Sequence, residues 1–209
     1  MPGNIRNNYQ QRTLPEADLH ANPVVQFRKW LDEAIAEKVN EPTAMVLSTV
    51  DDRDRPHGRV VLLKDITDKG FVFFTNYGSD KGKQMAVNRY VSLTFFWAEM
   101  ERQVRIDGSI RKVSRRISDK YFAGRPCGSR IGAWASPQSE VIDSGKVLTD
   151  NFNRYKAEFG ENIPRPPYWG GYMVLPYRIE FWQGRPNRLH DRICYLADNR
   201  SWNRVRLAP

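Results

Sequence analysis

The spacing of apolar positions changes several times along the chain, and each change marks an element. Residues 1–20 carry few large apolar side chains and read as a mobile arm, with Arg6 and Tyr9 its most chemically useful members. Asn22 followed by Pro23 is an N-cap and first-turn signal. Val24, Phe27, Leu31 and Ile35 then recur at helical spacing, which predicts a helix over 22–38. From Ala44 to Ser114 the texture becomes short β-rich runs: AMVLSTV, RVVLLK, GFVFFT, VSLTFFW and RQVRIDGSIRKV, parted by turn signals such as DDRDRPHG and DITDKG. One helix interrupts them, capped by Ser79 and running through Met85 and Val87. Further helices are predicted near 115–124 and 144–159, the latter with Leu148, Phe152, Tyr155 and Phe159 on one stripe before Gly160. The chain ends in strands: GYMVLPYRIEFWQG, LHDRICYLAD and WNRVRL.

Consecutive strands joined by short turns imply an antiparallel sheet or barrel, so the expected class is α+β, a mostly antiparallel barrel with peripheral helices. With 209 residues and 40% hydrophobic content, one core suffices, giving a single domain over 21–209 behind the arm at 1–20. No apolar run approaches the roughly 18 residues of a membrane span, and the polar opening lacks the core of a secretory signal. A soluble, cytoplasmic protein is expected. Cys127 and Cys194 stand far apart with no metal-ligand or redox spacing, which fits a reducing compartment.

The net charge of +9 calls for an anionic partner. Basic residues are dispersed over strand ends and turns instead of gathered in a tail, a pattern that favours discrete phosphate pockets. No GxGxxG or GxxxxGK[ST] is present, so a phosphorylated cofactor must be held another way. Arg59 opens the strand RVVLLK, and Ser79 and Lys81 stand at a helix start, where free N–H groups and two cations suit a phosphate monoester. The period of two within RVVLLK puts Arg59 and Lys64 on opposite faces, so two anionic sites are conceivable. YFAGRPCGSR spaces Tyr121, Arg125 and Ser129 four residues apart, each able to donate to a phosphate oxygen. RLHDR sets Arg188, His190 and Arg192 on one face of an extended segment. Gln103, Gln138, Ser139 and Trp182 fall at strand ends or turns where they could meet a polar heterocycle. Gln103 is the most suggestive, because an amide both donates and accepts. Taken singly, each cluster also has a plain explanation, as a solvated basic turn, a surface helix or a half-exposed strand, and for Arg59, Ser79 and Lys81 and for Gln103 that explanation is the stronger one.

Read together, NPVVQFRKW, EPTAMVLSTV, RVVLLK, FFTNYGSDKGKQ, ERQVRIDG, YFAGRPCGSRIGAWASPQS, WGGY, EFWQGRPNRLHDR and RLAP resemble, in order and spacing, the pyridoxamine-phosphate oxidase family. The resemblance implies a split β-barrel homodimer that binds FMN at two interface sites built from both subunits. It also implies oxidation of pyridoxamine or pyridoxine 5'-phosphate by oxygen to pyridoxal phosphate and hydrogen peroxide. Flavin contacts would come from Arg59, Val60, Val61, Leu62, Leu63 and Lys64, from Phe74 and Thr75, and from Ser79, Lys81, Gln103, Gln138, Ser139, Trp182 and Arg192. The substrate phosphate would be held by Lys64, Tyr121, Arg125 and Ser129, with Arg188, Leu189 and His190 facing the pyridine ring. Arg188 and His190 are the catalytic candidates, and Arg6 and Tyr9 match an arm that covers the substrate. Two departures stand out: Asp80 replaces the usual Arg or Lys after the serine, and Phe74 replaces a Tyr. The first puts one phosphate contact in question, with Lys83 as its substitute.

Three other readings compete. A related flavin oxidase could act on another ring, such as a phenazine precursor. A flavin or heme carrier could use the same barrel without turnover. A basic barrel could bind nucleic acid through stacked aromatics, but here the aromatics mostly alternate inward within apolar runs.

Overall fold

The computed structural model describes residues 8–199 and 201–209. Arg6 therefore lies outside the described residues. Asn22 caps the first helix, its Oδ1 accepting from Val24 N–H at 2.8 Å, and Pro23 opens α1 (Pro23–Ala36). The strands β1 (Ala44–Val50), β2 (Pro56–Leu62), β3 (Asp65–Thr67) and β4 (Gly70–Asn76) precede α2 (Asp80–Val87). Then come β5 (Tyr90–Trp97) and β6 (Arg102–Lys112), the helices α3 (Arg115–Ala123), α4 (Cys127–Ala135) and α5 (Gly145–Phe159), and β7 (Trp169–Gln183), β8 (Asp191–Asp198) and β9 (Ser201–Arg206). All strands join one nine-stranded sheet in the order β2-β1-β5-β6-β7-β4-β3, with β8 on β7 and β9 on β8. Every pairing among the described residues is antiparallel, as expected. No helix of the described residues is long and apolar enough to cross a membrane.

The sheet curls because β7 serves two neighbours on one side. Its first part, from Trp169 to Val174, pairs with β4, and its last part, from Arg178 to Gln183, pairs with β8. The two regions are divided by a bulge opposite Asp107 and Gly108. Pro176, which has no N–H to give the ladder, sits at that irregularity opposite Gly108. Leu63 and Lys64 close the curl: Leu63 N–H donates to Thr43 O at 2.9 Å and Lys64 N–H to Val72 O at 2.8 Å.

Inside, α1 plugs the barrel. Phe27 is fully buried and meets Phe71 and Phe95 edge-on at 4.9 and 4.8 Å, while Trp30 meets Phe181 at 5.1 Å. Burying each such side chain is worth about 1.5–3 kcal/mol. A second cluster joins α3, α4 and α5 through Phe122, Ile131, Trp134, Tyr155 and Phe159. The segment expected as an arm is laid along the body from residue 8: Leu14 and Leu19 are buried, and Gln11 N–H donates to a Glu101 carboxylate oxygen at 3.1 Å.

Four local expectations are corrected. α4 was not anticipated, since Gly128 and Gly132 dilute its pattern and Pro126 at the cap offers no side-chain acceptor. Asp65–Thr67, within a stretch read as turn, is a short strand. β2 begins at Pro56 and ends at Leu62, so Lys64 lies beyond the strand and the alternation argument does not reach it. Phe96, counted among inward aromatics, is 57% exposed on the outer face.

Candidate active site

The first pole of the site is built where β4 turns into α2. Ser79 is wholly buried, its Oγ accepting from Gly82 N–H at 3.4 Å and donating to Asn76 O at 2.7 Å. The turn is so tight that a Cβ on Gly82 would stand 2.2 Å from Tyr77 O. Lys81 Nζ donates to Ser79 Oγ at 3.3 Å and to Gln138 Oε1 at 3.1 Å, and Thr75 Oγ1 donates to the same Gln138 oxygen at 3.3 Å. Thr75, Ser79 and Lys81 of the β4–α2 turn are thereby joined to Gln138 of the loop after α4. Arg59 stands behind them, its guanidinium held by Leu47 O at 3.0 Å, Thr49 Oγ1 at 2.6 Å and Gln84 Oε1 at 3.0 Å. Burial, and then the neighbouring Arg59 charge, push the Lys81 ammonium below its ordinary value, partly countered by Asp80. An anion placed here would relieve both cations. Ser139 follows Gln138 in an exposed loop with a left-handed φ of 73°.

Beside this pole lies a cavity of about 300 Å³ bounded by β2, β4, α3 and the start of β7. Lys64, Lys81, Tyr121 and Arg125 all line it, with Val60, Val61 and Leu62 along one wall. Phe74 and Tyr121 stack with ring centres 3.8 Å apart, and Trp169 continues the parallel set at 5.6 Å from Phe74. Arg125 lies over Trp169 at 4.7 Å, and its Nη1 is buried without a hydrogen-bond partner. Such a group costs free energy until something accepts from it. Burial lowers the Arg125 guanidinium and raises the Tyr121 hydroxyl from their ordinary values. Arg59, Ser79 and Ser139 of the first pole are outside this lining, and two further expected residues lie apart from it. Ser129 is exposed on α4 and outside the cavity lining, and Leu63 turns into the core with its N–H already given to Thr43 O. Lys83, the substitute for Asp80, is also exposed and outside that lining.

The second pole is on β6–β8. Gln103, Trp182 and Arg192 are cross-strand partners in one row. Arg192 Nε donates to Glu180 Oε1 at 2.8 Å and Nη1 to Ala208 O at 2.8 Å. His190 packs on Trp182 at 4.6 Å, and Tyr9 meets both rings edge-on, at 5.6 Å from Trp182 and 5.8 Å from His190. Burial, then the Arg188 charge, hold the His190 imidazole below its usual value of 6.5. The expectation that Arg188, His190 and Arg192 share an extended face is not met. Pro186–Arg188 forms a 3-10 turn in which Asn187 and Arg188 take left-handed φ values of 58° and 61°. Two successive side-chain-bearing residues there cost roughly 1–3 kcal/mol each, strain of a kind that clusters at functional sites. Arg188 and Leu189 are exposed.

None of Gln103, Trp182, Arg188, His190 or Arg192 lines the cavity of the first pole. Sequence reasoning missed Trp169 and Glu180. Trp169 had a signal in the two glycines that follow it: a Cβ on Gly171 would stand 2.8 Å from the Phe74 ring, so the stack needs that gap.

Residues 31–158 match the family model described as pyridoxamine 5'-phosphate oxidase, and 169–209 match the pyridoxine 5'-phosphate oxidase C-terminal dimerisation region. A protein of Actinobacillus pleuropneumoniae serotype 7 named pyridoxine/pyridoxamine 5'-phosphate oxidase is 56% identical over 99% of this chain and 98% of its own length. One of Haemophilus influenzae with the same name is 55% identical over the same shares. Among solved structures, PhzG of Burkholderia lata 383, in complex with tetrahydrophenazine-1-carboxylic acid, superposes with a TM-score of 0.91 at 29% identity, covering 97% of this chain and all of that one. With two family models spanning both poles and near-full-length relatives above half identity, the chain belongs to the pyridoxamine 5'-phosphate oxidase family.

Proposed function

We propose that this chain is an FMN-dependent oxidase that converts pyridoxamine or pyridoxine 5'-phosphate, with oxygen, into pyridoxal 5'-phosphate and hydrogen peroxide. The observation that carries the reading is the cavity where Lys64, Lys81, Tyr121 and Arg125 converge, with an unpartnered guanidinium nitrogen beside an aromatic wall. That donor set suits two phosphorylated rings. Ser79 and Lys81 at the start of α2, backed by Arg59, hold the FMN phosphate, while Lys64, Tyr121 and Arg125 hold the substrate's, with Ser129 at the margin. The strand Val60–Leu62 and Phe74 flank the flavin ring, and Gln138 and Ser139 close its edge.

FMN, held by Ser79, Lys81 and Arg59, would supply the redox chemistry, a two-electron acceptor that oxygen regenerates. The protein orients and encloses. Gln103, Trp182 and Arg192 meet the heterocycle, Arg188 and His190 face the pyridine ring, and Arg6 and Tyr9 form a lid. Arg188 orients the substrate so that its reacting carbon faces the flavin. Because Tyr9, Gln103, Trp182, Arg188, His190 and Arg192 lie outside the cavity of their own chain, they serve the cavity of a second copy in a homodimer. The outer sheet face supports this: Val46 and Val60 are register partners, 39% and 66% exposed, and Phe96 is 57% exposed on the same face. Free thiols at Cys127 and Cys194 suit a cytoplasmic setting.

Action on a phenazine precursor is the competing reading, suggested by PhzG at 29% identity against 56% for the vitamin relatives. One experiment separates them. The purified protein should show a flavin spectrum that anaerobic pyridoxine phosphate bleaches and air restores with release of peroxide. A colourless protein that takes up no FMN, or a spectrum indifferent to that ester, would remove the proposal.

A further inference from the structure

His190 has its tautomer set by the main chain. Arg185 N–H donates to His190 Nδ1 at 3.0 Å. A backbone amide can only donate, so Nδ1 must present its lone pair, and the proton of the neutral ring resides on Nε2. The turn that aims this amide is held from several directions. Gly184 N–H donates to Glu101 O at 2.7 Å, and a Cβ on Gly184 would stand 2.7 Å from the Tyr9 ring. The Arg185 guanidinium lies 3.5 Å from the Asp191 carboxylate and donates to Arg12 O at 3.2 Å. The imidazole itself is fixed by Trp182 and Tyr9, and the Arg188 cation disfavours a second proton on it.

We propose that Arg185 is a positioning residue whose main-chain amide holds His190 as the neutral Nε2–H tautomer. His190 then gives the substrate a hydrogen-bond donor, aimed at an acceptor on the pyridine ring such as its 3-oxygen, and takes no proton from the reacting carbon. The inference rests on the functional reading above for the identity of the substrate, and on the Arg185 contact alone for the tautomer.

The test has two arms on the holoenzyme. With ring nitrogens isotopically labelled, nitrogen NMR should show that the histidine in contact with Trp182, the one missing from His190→Gln, has an unprotonated Nδ1 and a protonated Nε2. In kinetics, Gln places its amide N–H near Nε2, whereas Asn places it near Nδ1. The KM for pyridoxine phosphate should rise about tenfold more in His190→Asn than in His190→Gln, the order of one lost hydrogen bond. A protonated Nδ1, or losses in the Asn variant no greater than in the Gln variant, would overturn the proposal. If either variant fails to fold, the wild-type spectrum decides, the ring being identified by its Trp182 contacts. A protein that binds no FMN would sink the functional reading instead, and the spectrum of the same sample would still decide the tautomer.

Discussion

Glu180 accepts a hydrogen bond from Arg192 Nε at 2.8 Å while only 3% exposed, and its other oxygen faces Arg178 at 2.9 Å and Arg105 at 3.7 Å. One buried carboxylate therefore balances three guanidinium groups on the outer face of β6–β8. Glu180→Gln should lower stability by about 1.5–3 kcal/mol, the range for a hydrogen bond to a charged group. Urea unfolding checks this through the midpoint, and an unmoved midpoint would count against the cluster. If Arg192 touches the flavin, Glu180→Gln should also weaken FMN binding in the native background and add nothing to Arg192→Ala.

Arg188 is exposed yet held in a strained left-handed turn. Arg188→Leu should lower kcat while FMN stays bound and the protein stays yellow. Turnover equal to the native protein would exclude the residue from the chemistry.

Arg125 lines the cavity with Lys64, and its Nη1 is buried without a hydrogen-bond partner. Arg125→Ala should raise KM for the phosphate ester by the equivalent of about 1.5–3 kcal/mol. Oxidation of the non-phosphorylated vitamer, slow in both proteins, should not change. Equal loss for both substrates would mean that Arg125 does not read the phosphate.

Gly82 leaves no room for a methyl group against the Tyr77 carbonyl. Gly82→Ala should displace the start of α2, costing roughly 1–3 kcal/mol as overpacking does. It should also raise the Kd for FMN, measured by quenching of flavin fluorescence. Native affinity in a destabilised variant would separate the helix start from the phosphate.

His190 has its pKa lowered by burial and by Arg188. The folded protein then binds a proton there less readily than the unfolded chain does. Its contribution to stability is complete above the unfolded value near 6.5 and is lost as pH falls below it. Urea midpoints of the native protein should drop more than those of His190→Gln between neutral and mildly acidic pH. Parallel drops would remove His190 as the source.

The strands were legible where a sheet with one buried face enforces alternation, as in Leu93 and Phe95 or Val104 and Ile106, and four of the five α-helices among the described residues by their own spacing and caps. What escaped detection depended on tertiary partners. α4 is held by Trp134 packing on Tyr155 and Phe159 despite its glycines. The left-handed turn at Asn187 and Arg188 has no local glycine to announce it. Motif order grouped Lys64, Tyr121 and Arg125 on one phosphate, but not the stack of Phe74, Tyr121 and Trp169 beside them, since β4, α3 and β7 are far apart in sequence. Glu180 hid inside an apolar strand as an ordinary alternating residue.

The length of β7 has a further consequence. Trp169 at its beginning belongs to the cavity and Trp182 near its end to the row with Gln103 and Arg192, so one strand spaces the two poles by about 40 Å of extended backbone. If that row serves the cavity of a second copy, as proposed, activity becomes a matter of mass action between chains, and extreme dilution alone should silence the protein without unfolding it.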